Sequence, residues 1–194
     1  MVAIFDIDET LAMTFTPFLT YMNKKNGTSF NRFDFTTYDW SAVTGLSFED
    51  LFKEHITFLN DFDEMSRIYS ETGSEYIINQ ISAHDEIYAL TDRDPSGKAG
   101  AEYLLDRLFP GKISKIIHAT SDFGKYRTPK AEIVKKLDAK LFVDDSFDHI
   151  KQSLDAGVNA YLITRPWNKH EGIPKERRLK NLFQLSKEID RIYK

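Results

Sequence analysis

The segment "VAIFDIDETLA", residues 2–12, carries the strongest indication of the fold in this sequence. Its apolar run from Val2 to Phe5 is typical of a strand buried on both faces of a parallel sheet. Two carboxylates, Asp6 and Asp8, follow this run directly. In open parallel sheets, ligands bind outside the carboxyl ends of the strands. The segment therefore predicts a first strand whose carboxyl end carries the chemistry of the protein.

Further strand-like runs occur at residues 86–91, 115–119, 140–145 and 159–164. Helical patterns lie between them at residues 97–109, 128–137 and 147–157, with Pro129 near one helix start and Gly157 just past one helix end. Strands and helices that alternate in this way indicate βαβ crossovers. We therefore expect an α/β, Rossmann-like fold, with a parallel sheet that is covered by helices on both faces.

The segment between residues 12 and 79 has a different pattern, with no clear strand. Residues 17–27 read as a helix that ends at Gly27, and Ser47 and Asp50 have the spacing of a capping box before a second helix. We expect a helical cap at 12–79, placed over the end of the first strand. Residues 1–11 and 80–194 then form the core domain, and the basic stretch 174–194 closes it as an amphipathic helix.

Composition excludes several classes of function. The chain has 194 residues, 41% of them hydrophobic and 29% charged, with a formal net charge of -4. This balance disfavours a polynucleotide partner, which would need a basic surface. Cysteine is absent, so disulfides and thiolate metal sites are excluded. Neither a signal peptide nor a membrane span is indicated, and we expect a cytoplasmic protein.

Acidic residues recur at the ends of the predicted strands. Asp6 and Asp8 follow the first strand, Asp144 and Asp145 end a later one, and Asp148 lies shortly after. Carboxylates that converge on one sheet edge repel each other unless a cation lies among them. Oxygen ligands favour a hard divalent ion, and Mg²⁺ fits best. Within the pair, Asp6 can act as a nucleophile and Asp8 as a proton donor and acceptor.

The order of these features along the chain resembles the four motifs of the haloacid dehalogenase (HAD) superfamily of phosphohydrolases. A strand ends in Asp-x-Asp-x-Thr, a second strand ends in Thr91, Lys130 opens a helix, and a third strand ends in Asp144 and Asp145. The resemblance covers residues 1–11 and about 80–165. A lone Asp-x-Asp is more often a helix cap or a turn, so the signal lies in the complete set.

The resemblance implies a role for each matching residue. Asp6 would attack phosphorus, and Asp8 would protonate the leaving group and then activate water. Thr91 and Lys130 would bind the phosphoryl oxygens. Mg²⁺ would be held by Asp6, the backbone carbonyl of Asp8, Asp144 and Asp145, with Asp148 as an alternative to Asp145.

Some positions depart from the pattern or leave a choice open. Glu9 stands where the family commonly has glycine, which blurs the subfamily. Phosphatases and phosphomutases of the family have an acidic residue at the position of Asp8, whereas true dehalogenases lack it. The resemblance therefore disfavours hydrolytic dehalogenation. Lys125 is an alternative to Lys130, which is preferred because Pro129 places it in the first turn of a helix, where anions are favoured.

Shorter motifs resemble the 5'(3')-deoxyribonucleotidase branch of the superfamily. They are "LTDRDP" at residues 90–95, "VDDSFDHI" at 143–150 and "LITRPWN" at 162–168. This resemblance implies that the backbone N–H of Asp92 binds phosphate, while Arg93 and Arg165 contact substrate or pair with acids. For Trp167 and Asn168, structural and functional roles are both open.

The most specific hypothesis is a Mg²⁺-dependent nucleotidase acting on (deoxy)nucleoside monophosphates. Tyr38 and Trp40 lie in the polar stretch "TTYDW" and are candidates for stacking on a base. The alternatives are a phosphatase for another small ester, such as a sugar phosphate or a 3'-phosphate end, and a non-catalytic binding protein with the same fold. The intact set of motif residues argues against the binding protein.

Overall fold

The computed structural model describes residues 2–121, 126–169 and 172–193. Its centre is a six-stranded sheet in the order β10-β9-β8-β1-β4-β5, in which each neighbouring pair is parallel. The strands of the described chain are β1 (Val2–Phe5), β2 (Ala12–Met13), β3 (Tyr69–Ser70), β4 (Glu86–Thr91), β5 (Lys115–His118), β6 (Thr120–Ser121), β7 (Tyr126–Arg127), β8 (Ala139–Asp144), β9 (Ala160–Ile163) and β10 (Arg178–Leu179). β2 pairs with β3, and β6 with β7, as antiparallel ladders.

The helices surround this sheet and fill the insertion after β1. They are α1 (Phe15–Asn26), α2 (Trp40–Thr44), α3 (Phe48–Leu59), α4 (Phe62–Ser66), α5 (Ser74–Ile81), α6 (Lys98–Leu108), α7 (Lys130–Lys136), α8 (Phe147–Asp155) and α9 (Ser186–Tyr193). Short 3-10 helices occur at Arg32–Asp34, Pro95–Gly97, Pro166–Asn168, Lys175–Arg177 and Leu182–Leu185.

The sheet is buried on both faces, as the apolar run in β1 predicts. Successive side chains of a strand point to opposite faces. Ala3 and Phe5 accordingly belong to one buried cluster, with residues of α1, α5 and α6, while Ile4 belongs to a second cluster with Val134 of α7 and Ile150 of α8. The predicted α/β fold, with helices on both faces of a parallel sheet, is confirmed.

The segment after β1 is mostly helical, as expected. Helix α1 is followed by Gly27, whose φ of 66° is the left-handed conformation that glycine adopts readily. Helix α3 is preceded by Ser47, whose side chain accepts a hydrogen bond from the backbone N–H of Asp50. The short β2–β3 ladder was not predicted. Because it is two residues long on each side, it has no alternating pattern that a sequence can reveal.

Helix α5 runs across residue 79, where the expected cap ends. It contacts β4, α9 and the 3-10 helix Leu182–Leu185. The division of the chain into a cap at 12–79 and a core remains a prediction.

The insertion also packs closely against the core domain. Gly100 of α6 lies under the last turn of α3, where an added Cβ would come within 1.8 Å of the backbone oxygen of Leu59. Helix α4 contacts α6 as well. A glycine at this position therefore allows two helix backbones to approach each other.

The C-terminal stretch differs from the single amphipathic helix that its sequence predicts. It contains β10 and two 3-10 helices before the eight-residue helix α9. Leu179, Leu182 and Leu185 are each at most 5% exposed. Sheet pairing with β9 and burial of these leucines overrode the helical periodicity.

In the described part of the chain, we find no helix with the length and apolar character that crossing a membrane requires.

Candidate active site

Three neighbouring strands bring the predicted acidic residues together. β8, β1 and β4 lie side by side, and Asp144, Asp6 and Thr91 stand at or just beyond their carboxyl ends. The backbone N–H of Asp6 donates to the carbonyl of Val143 at 2.9 Å, which extends the β1–β8 pairing to this edge of the sheet. The pairing of the central strands therefore sets the geometry of the site.

Asp6, Asp144 and Asp145 form a compact acidic cluster. Each offers one carboxylate oxygen, and these oxygens all lie within 4.8 Å of one another. All three side chains are buried. Asp148, the alternative to Asp145, is exposed at the edge of the same cleft. The structure thus groups Asp145, not Asp148, with Asp6 and Asp144.

Lys130 is the buried cation that faces this cluster. It is the first residue of α7, and its Nζ donates to Asp6 Oδ1 at 2.6 Å and to Asp144 Oδ2 at 2.9 Å. Burial alone would lower the pKa of Lys130, but Asp144 and Asp6 raise it above its usual value. Lys125, the alternative to Lys130, lies outside the described residues.

One ammonium does not balance three carboxylates. Burial raises the pKa of Asp6 well above its usual value, although Lys130 opposes this effect. Burial and the charge of Asp144 raise the pKa of Asp145 to about 7. Burial would also raise the pKa of Asp144, but Lys130 and His149 hold it below the usual range. The cluster is therefore short of positive charge.

A divalent cation fits this donor set. The cluster offers carboxylate oxygens without nitrogen or sulfur ligands, which suits a hard ion such as Mg²⁺. Its raised carboxyl pKa values mark the charge that such an ion would neutralise. Asp6, Asp144 and Asp145 are the residues that would hold it.

Asp8 has a different partner from Asp6. Its carboxylate accepts two hydrogen bonds from Arg93, from Nε at 2.8 Å and from Nη2 at 2.7 Å. Burial would raise the pKa of Asp8, but the Arg93 guanidinium holds it below the usual range. Of the two roles that the sequence leaves open for Arg93, the structure shows the pairing with an acid.

Thr91 and Asp92 lie at the end of β4, beside Asp6 and Lys130. The Thr91 hydroxyl accepts from the backbone N–H of Arg93 at 3.1 Å. Asp92 Oδ2 lies 3.8 Å from Lys130 Nζ and accepts from Arg127 Nη2 at 2.6 Å. Both residues line the cleft at this edge of the sheet.

Glu9 connects the loop after β1 to distant parts of the chain. Its φ of 57° lies in the left-handed region, which glycine adopts more readily than other residues. Its Oε1 accepts from the backbone N–H of Phe15 at 2.8 Å, and its Oε2 pairs with Arg32 at 2.8 Å. Arg165 donates to the Glu9 carbonyl and to Glu71. Arg165 therefore has a structural pairing role here, with acids and a backbone oxygen at the sheet edge.

A cleft of about 710 Å³ opens above these groups, within the usual size range of ligand pockets. Its wall on the side of the insertion is rich in aromatic rings. These rings are Phe15, Phe18, Tyr38, Trp40, Phe48 and Phe52.

Tyr38 and Trp40 both line the cleft, but their surroundings differ. Trp40 is half-buried, with its ring 4.8 Å from Phe15 and 5.9 Å from Phe18. Tyr38 is 47% exposed, and its hydroxyl donates to the backbone carbonyl of Asp145. Trp40 therefore offers part of its ring to a ligand, while Tyr38 is fixed to the acidic cluster.

Several residues of the site had no role predicted from the sequence. His149 contacts Asp144 Oδ2 through Nδ1 at 3.0 Å and lies 3.3 Å from Asp92 Oδ2 through Nε2. His55 of α3 lines the cleft, and burial lowers its pKa to about 4. His149 lies five positions after Asp144, in the first turn of α8, so its place shortly after a strand end was a usable signal. His55 lies in the insertion and had no such signal.

Comparison with known proteins identifies the fold. No family model matches the chain, and no curated protein sequence matches it. Solved structures do match. The putative HAD-hydrolase YfnB from Bacillus subtilis, bound to magnesium, has a TM-score of 0.63 at 15% identity and covers 97% of this chain and 98% of its own.

Two further structures give the same picture. A HAD-superfamily hydrolase of subfamily IA from Geobacter sulfurreducens has a TM-score of 0.61 at 14% identity, with 97% of this chain and 95% of that chain covered. CbbY from Rhodobacter sphaeroides, in complex with phosphate, has a TM-score of 0.58 at 17% identity, with 95% of each chain covered. The chain therefore has the fold of HAD-superfamily hydrolases.

Proposed function

We propose that this protein is a Mg²⁺-dependent phosphomonoester hydrolase of the HAD superfamily, with nucleoside monophosphates as its substrates. The observation that carries the proposal is the meeting of Asp6, Asp8, Thr91, Lys130 and Asp144 in one cleft of a HAD-like fold. These are the residues to which the motif resemblance assigns roles. Structural neighbours bound to magnesium and to phosphate support the same chemistry.

In the first step, an Asp6 oxygen attacks phosphorus, and the bond from phosphorus to the ester oxygen breaks. Asp8 gives its proton to the leaving oxygen. Lys130, 2.6 Å from Asp6, offsets the negative charge of the phosphoryl oxygens together with the hydroxyl of Thr91. When bound, Mg²⁺ would supply further charge neutralisation for the approach of two anions.

In the second step, water attacks phosphorus and gives a proton to Asp8. The bond between phosphorus and Asp6 breaks, which releases phosphate and restores the carboxylate. Asp8 thereby ends the cycle protonated, as the first step requires, although its pair with Arg93 favours the carboxylate. A phosphate dianion bound beside Asp8 adds negative charge there, which raises the pKa of the Asp8 carboxyl and favours the protonated acid.

The choice of nucleotides rests on the aromatic wall of the cleft. Phosphoryl chemistry at Asp6 and Asp8 serves any ester, so selectivity must come from groups that reach the rest of the molecule. Stacking of one base on an aromatic ring contributes roughly 1–3 kcal/mol, which corresponds to a preference of about tenfold to hundredfold. We also propose that the protein belongs to the deoxyribonucleotidase branch of the superfamily and that it is cytoplasmic.

A phosphate-release screen with Mg²⁺ tests the proposal. Nucleoside monophosphates should be hydrolysed with a kcat/KM at least about tenfold above that of ribose 5-phosphate. Trp40→Ala should lower this ratio, mainly because kcat/KM for nucleoside monophosphates falls. The kcat/KM for p-nitrophenyl phosphate should change little.

Phe62→Ala is the matched control, because Phe62 is an exposed aromatic ring of the insertion that lies outside the lining of this cleft. It should leave the ratio unchanged. Sugar phosphates that match or exceed nucleotides in the wild type would refute the nucleotidase assignment and leave a phosphatase for another small ester. Failure to hydrolyse any phosphate ester would refute the enzyme assignment.

A further inference from the structure

Asp145, which directly follows β8, is held by three side chains from other segments of the chain. The indole Nε1 of Trp167 donates to Asp145 Oδ2 at 2.8 Å. Asn168 Nδ2 donates to the Asp145 backbone carbonyl at 2.7 Å, and the Tyr38 hydroxyl donates to the same carbonyl. Neither the order of the motifs nor the fold comparison assigns a role to these contacts.

We propose that Trp167 is a positioning residue for the divalent cation, because its indole fixes the carboxylate of Asp145. This inference rests on the proposed function for the presence of the cation. The indole N–H donates to Oδ2 of Asp145, and the Tyr38 hydroxyl lies 3.4 Å from the same oxygen, so Oδ1 carries neither of these two contacts. The indole N–H is a donor only, and this contact therefore favours the rotamer of Asp145 in which Oδ2 faces Trp167.

The frame around Trp167 is rigid enough for this role. Trp167 is 4% exposed and packs edge-on against Phe15, with ring centroids 5.1 Å apart. It lies in the 3-10 helix Pro166–Asn168, directly after β9. Asn168, which is fully buried, accepts from the backbone N–H of Arg165 at 2.9 Å and donates to the Ile163 carbonyl at 2.8 Å.

Tyr38 extends this arrangement to the other side of the cleft. It belongs to the insertion after β1, yet its hydroxyl bonds to the Asp145 carbonyl, and its ring lies 6.2 Å from that of Trp167. Asp145 is thus held between the insertion and the segment that follows β9. A carboxylate without such contacts would lose side-chain conformational entropy when it binds a cation. Because these contacts already restrict the Asp145 rotamer, less entropy is lost on binding.

A purely structural role for Trp167 makes a different prediction. A buried indole N–H needs an acceptor, and Asp145 supplies one whether or not a metal binds. If packing were the whole role, removal of the N–H would change stability but not the affinity for Mg²⁺. The two roles are therefore separated by a binding measurement without substrate.

Calorimetric titration with Mg²⁺ alone is the primary test. Trp167→Phe keeps a buried ring and removes the donor. Since loss of an outer contact to a metal ligand typically weakens binding 10- to 100-fold, we expect a Kd at least about tenfold above that of the wild type. A Kd within about twofold of the wild-type value, in a variant with a normal thermal transition, would overturn the inference and leave the proposed function intact.

Fluorescence provides a second test that leaves Trp167 in place. The chain has two tryptophans, so Trp40→Phe leaves Trp167 as the single one. Its emission should change on addition of Mg²⁺, with the midpoint found by calorimetry. An emission that stays constant while calorimetry detects binding would count against the inference. If the wild type binds no Mg²⁺ by either method, the proposed function fails, and this inference fails with it.

Discussion

Asp6→Asn should abolish turnover and, in the absence of metal, make the protein more stable. The side chain is buried at the end of β1, and Lys130 donates to its Oδ1 at 2.6 Å. An amide oxygen accepts the same hydrogen bond, so the change removes the charge with little change of shape. The amide is a poor nucleophile, and we expect phosphate release to fall at least about a thousandfold.

The effect on stability follows from the charges around Asp6. Oxygens of Asp144 and Asp145 lie within 4.8 Å, where each carboxylate repels Asp6 by about 3.5 kcal/mol at an effective dielectric constant of about 20. The attraction of Lys130 at 2.6 Å is about 6 kcal/mol on the same scale. The two carboxylate repulsions and the Lys130 attraction nearly cancel. The free-energy cost of burying the Asp6 anion therefore remains, in agreement with the raised pKa of Asp6.

The assay is thermal unfolding in EDTA at pH 8, together with phosphate release in Mg²⁺. We expect the free energy of unfolding of Asp6→Asn to exceed that of the wild type by at least about 1 kcal/mol, which raises Tm by about 2–4 °C for a chain of this size. Asp106→Asn, the same change at an exposed position on α6, should alter neither quantity. A variant less stable than the wild type in EDTA, or phosphate release within tenfold of the wild type, would refute the reasoning.

Three further predictions concern the metal, the half-buried His55 and the contact between α3 and α6. EDTA should abolish phosphate release and Ca²⁺ should restore it poorly, because its looser shell misplaces Asp6; full activity after chelation would contradict the metal site. Burial lowers the pKa of His55 to about 4 from its ordinary 6.5. Between these pH values the unfolded protein therefore binds more protons than the folded protein, and the free energy of unfolding falls as the pH is lowered from 6.5 to 4. Relative to His55→Gln, the wild type should lose up to about 3 kcal/mol between pH 7.5 and 4, and parallel pH profiles in denaturant titrations would argue against this burial. Gly100→Ala places a Cβ 1.8 Å from the Leu59 oxygen and should lower the free energy of unfolding by at least about 2 kcal/mol. In the control variant Gly97→Ala, the added Cβ would lie 3.8 Å from its nearest neighbour, a side-chain carbon of Leu59, and the free energy of unfolding should change by less than about 1 kcal/mol. Equal Tm values for the two variants would show that α3 and α6 do not meet as described.

Local patterns predicted the sheet closely. The runs at β1 and β4 match their strands, and β5, β8 and β9 deviate by about one residue at their ends. Apolar runs of this kind report burial on both faces, and burial is what forms the strands of a parallel sheet. The C-terminal segment was predicted less well, because β10 exists only through its pairing with β9.

The residues that the structure brings together at this edge of the sheet could be predicted from the sequence because they follow strand ends. Asp6, Thr91 and Asp144 needed only the rule that the carboxyl ends of parallel strands lie at one edge of the sheet. Lys130 needed the additional signal of Pro129 at the helix start. The choice between Asp145 and Asp148 needed the structure, because both follow the same strand and only their burial separates them.

Sequence patterns predicted the order of the strands along the chain, the buried character of the sheet and the identity of the acidic residues at its edge, since each of these depends on neighbours within a few positions. The folded chain was needed to show that Arg93 pairs with Asp8, that His149 contacts Asp144, and that Trp167 and Tyr38 hold Asp145. These partners are between 5 and 107 positions apart in the chain. Such distances are fixed by how the insertion and the loops fold over the sheet, and no local periodicity encodes them.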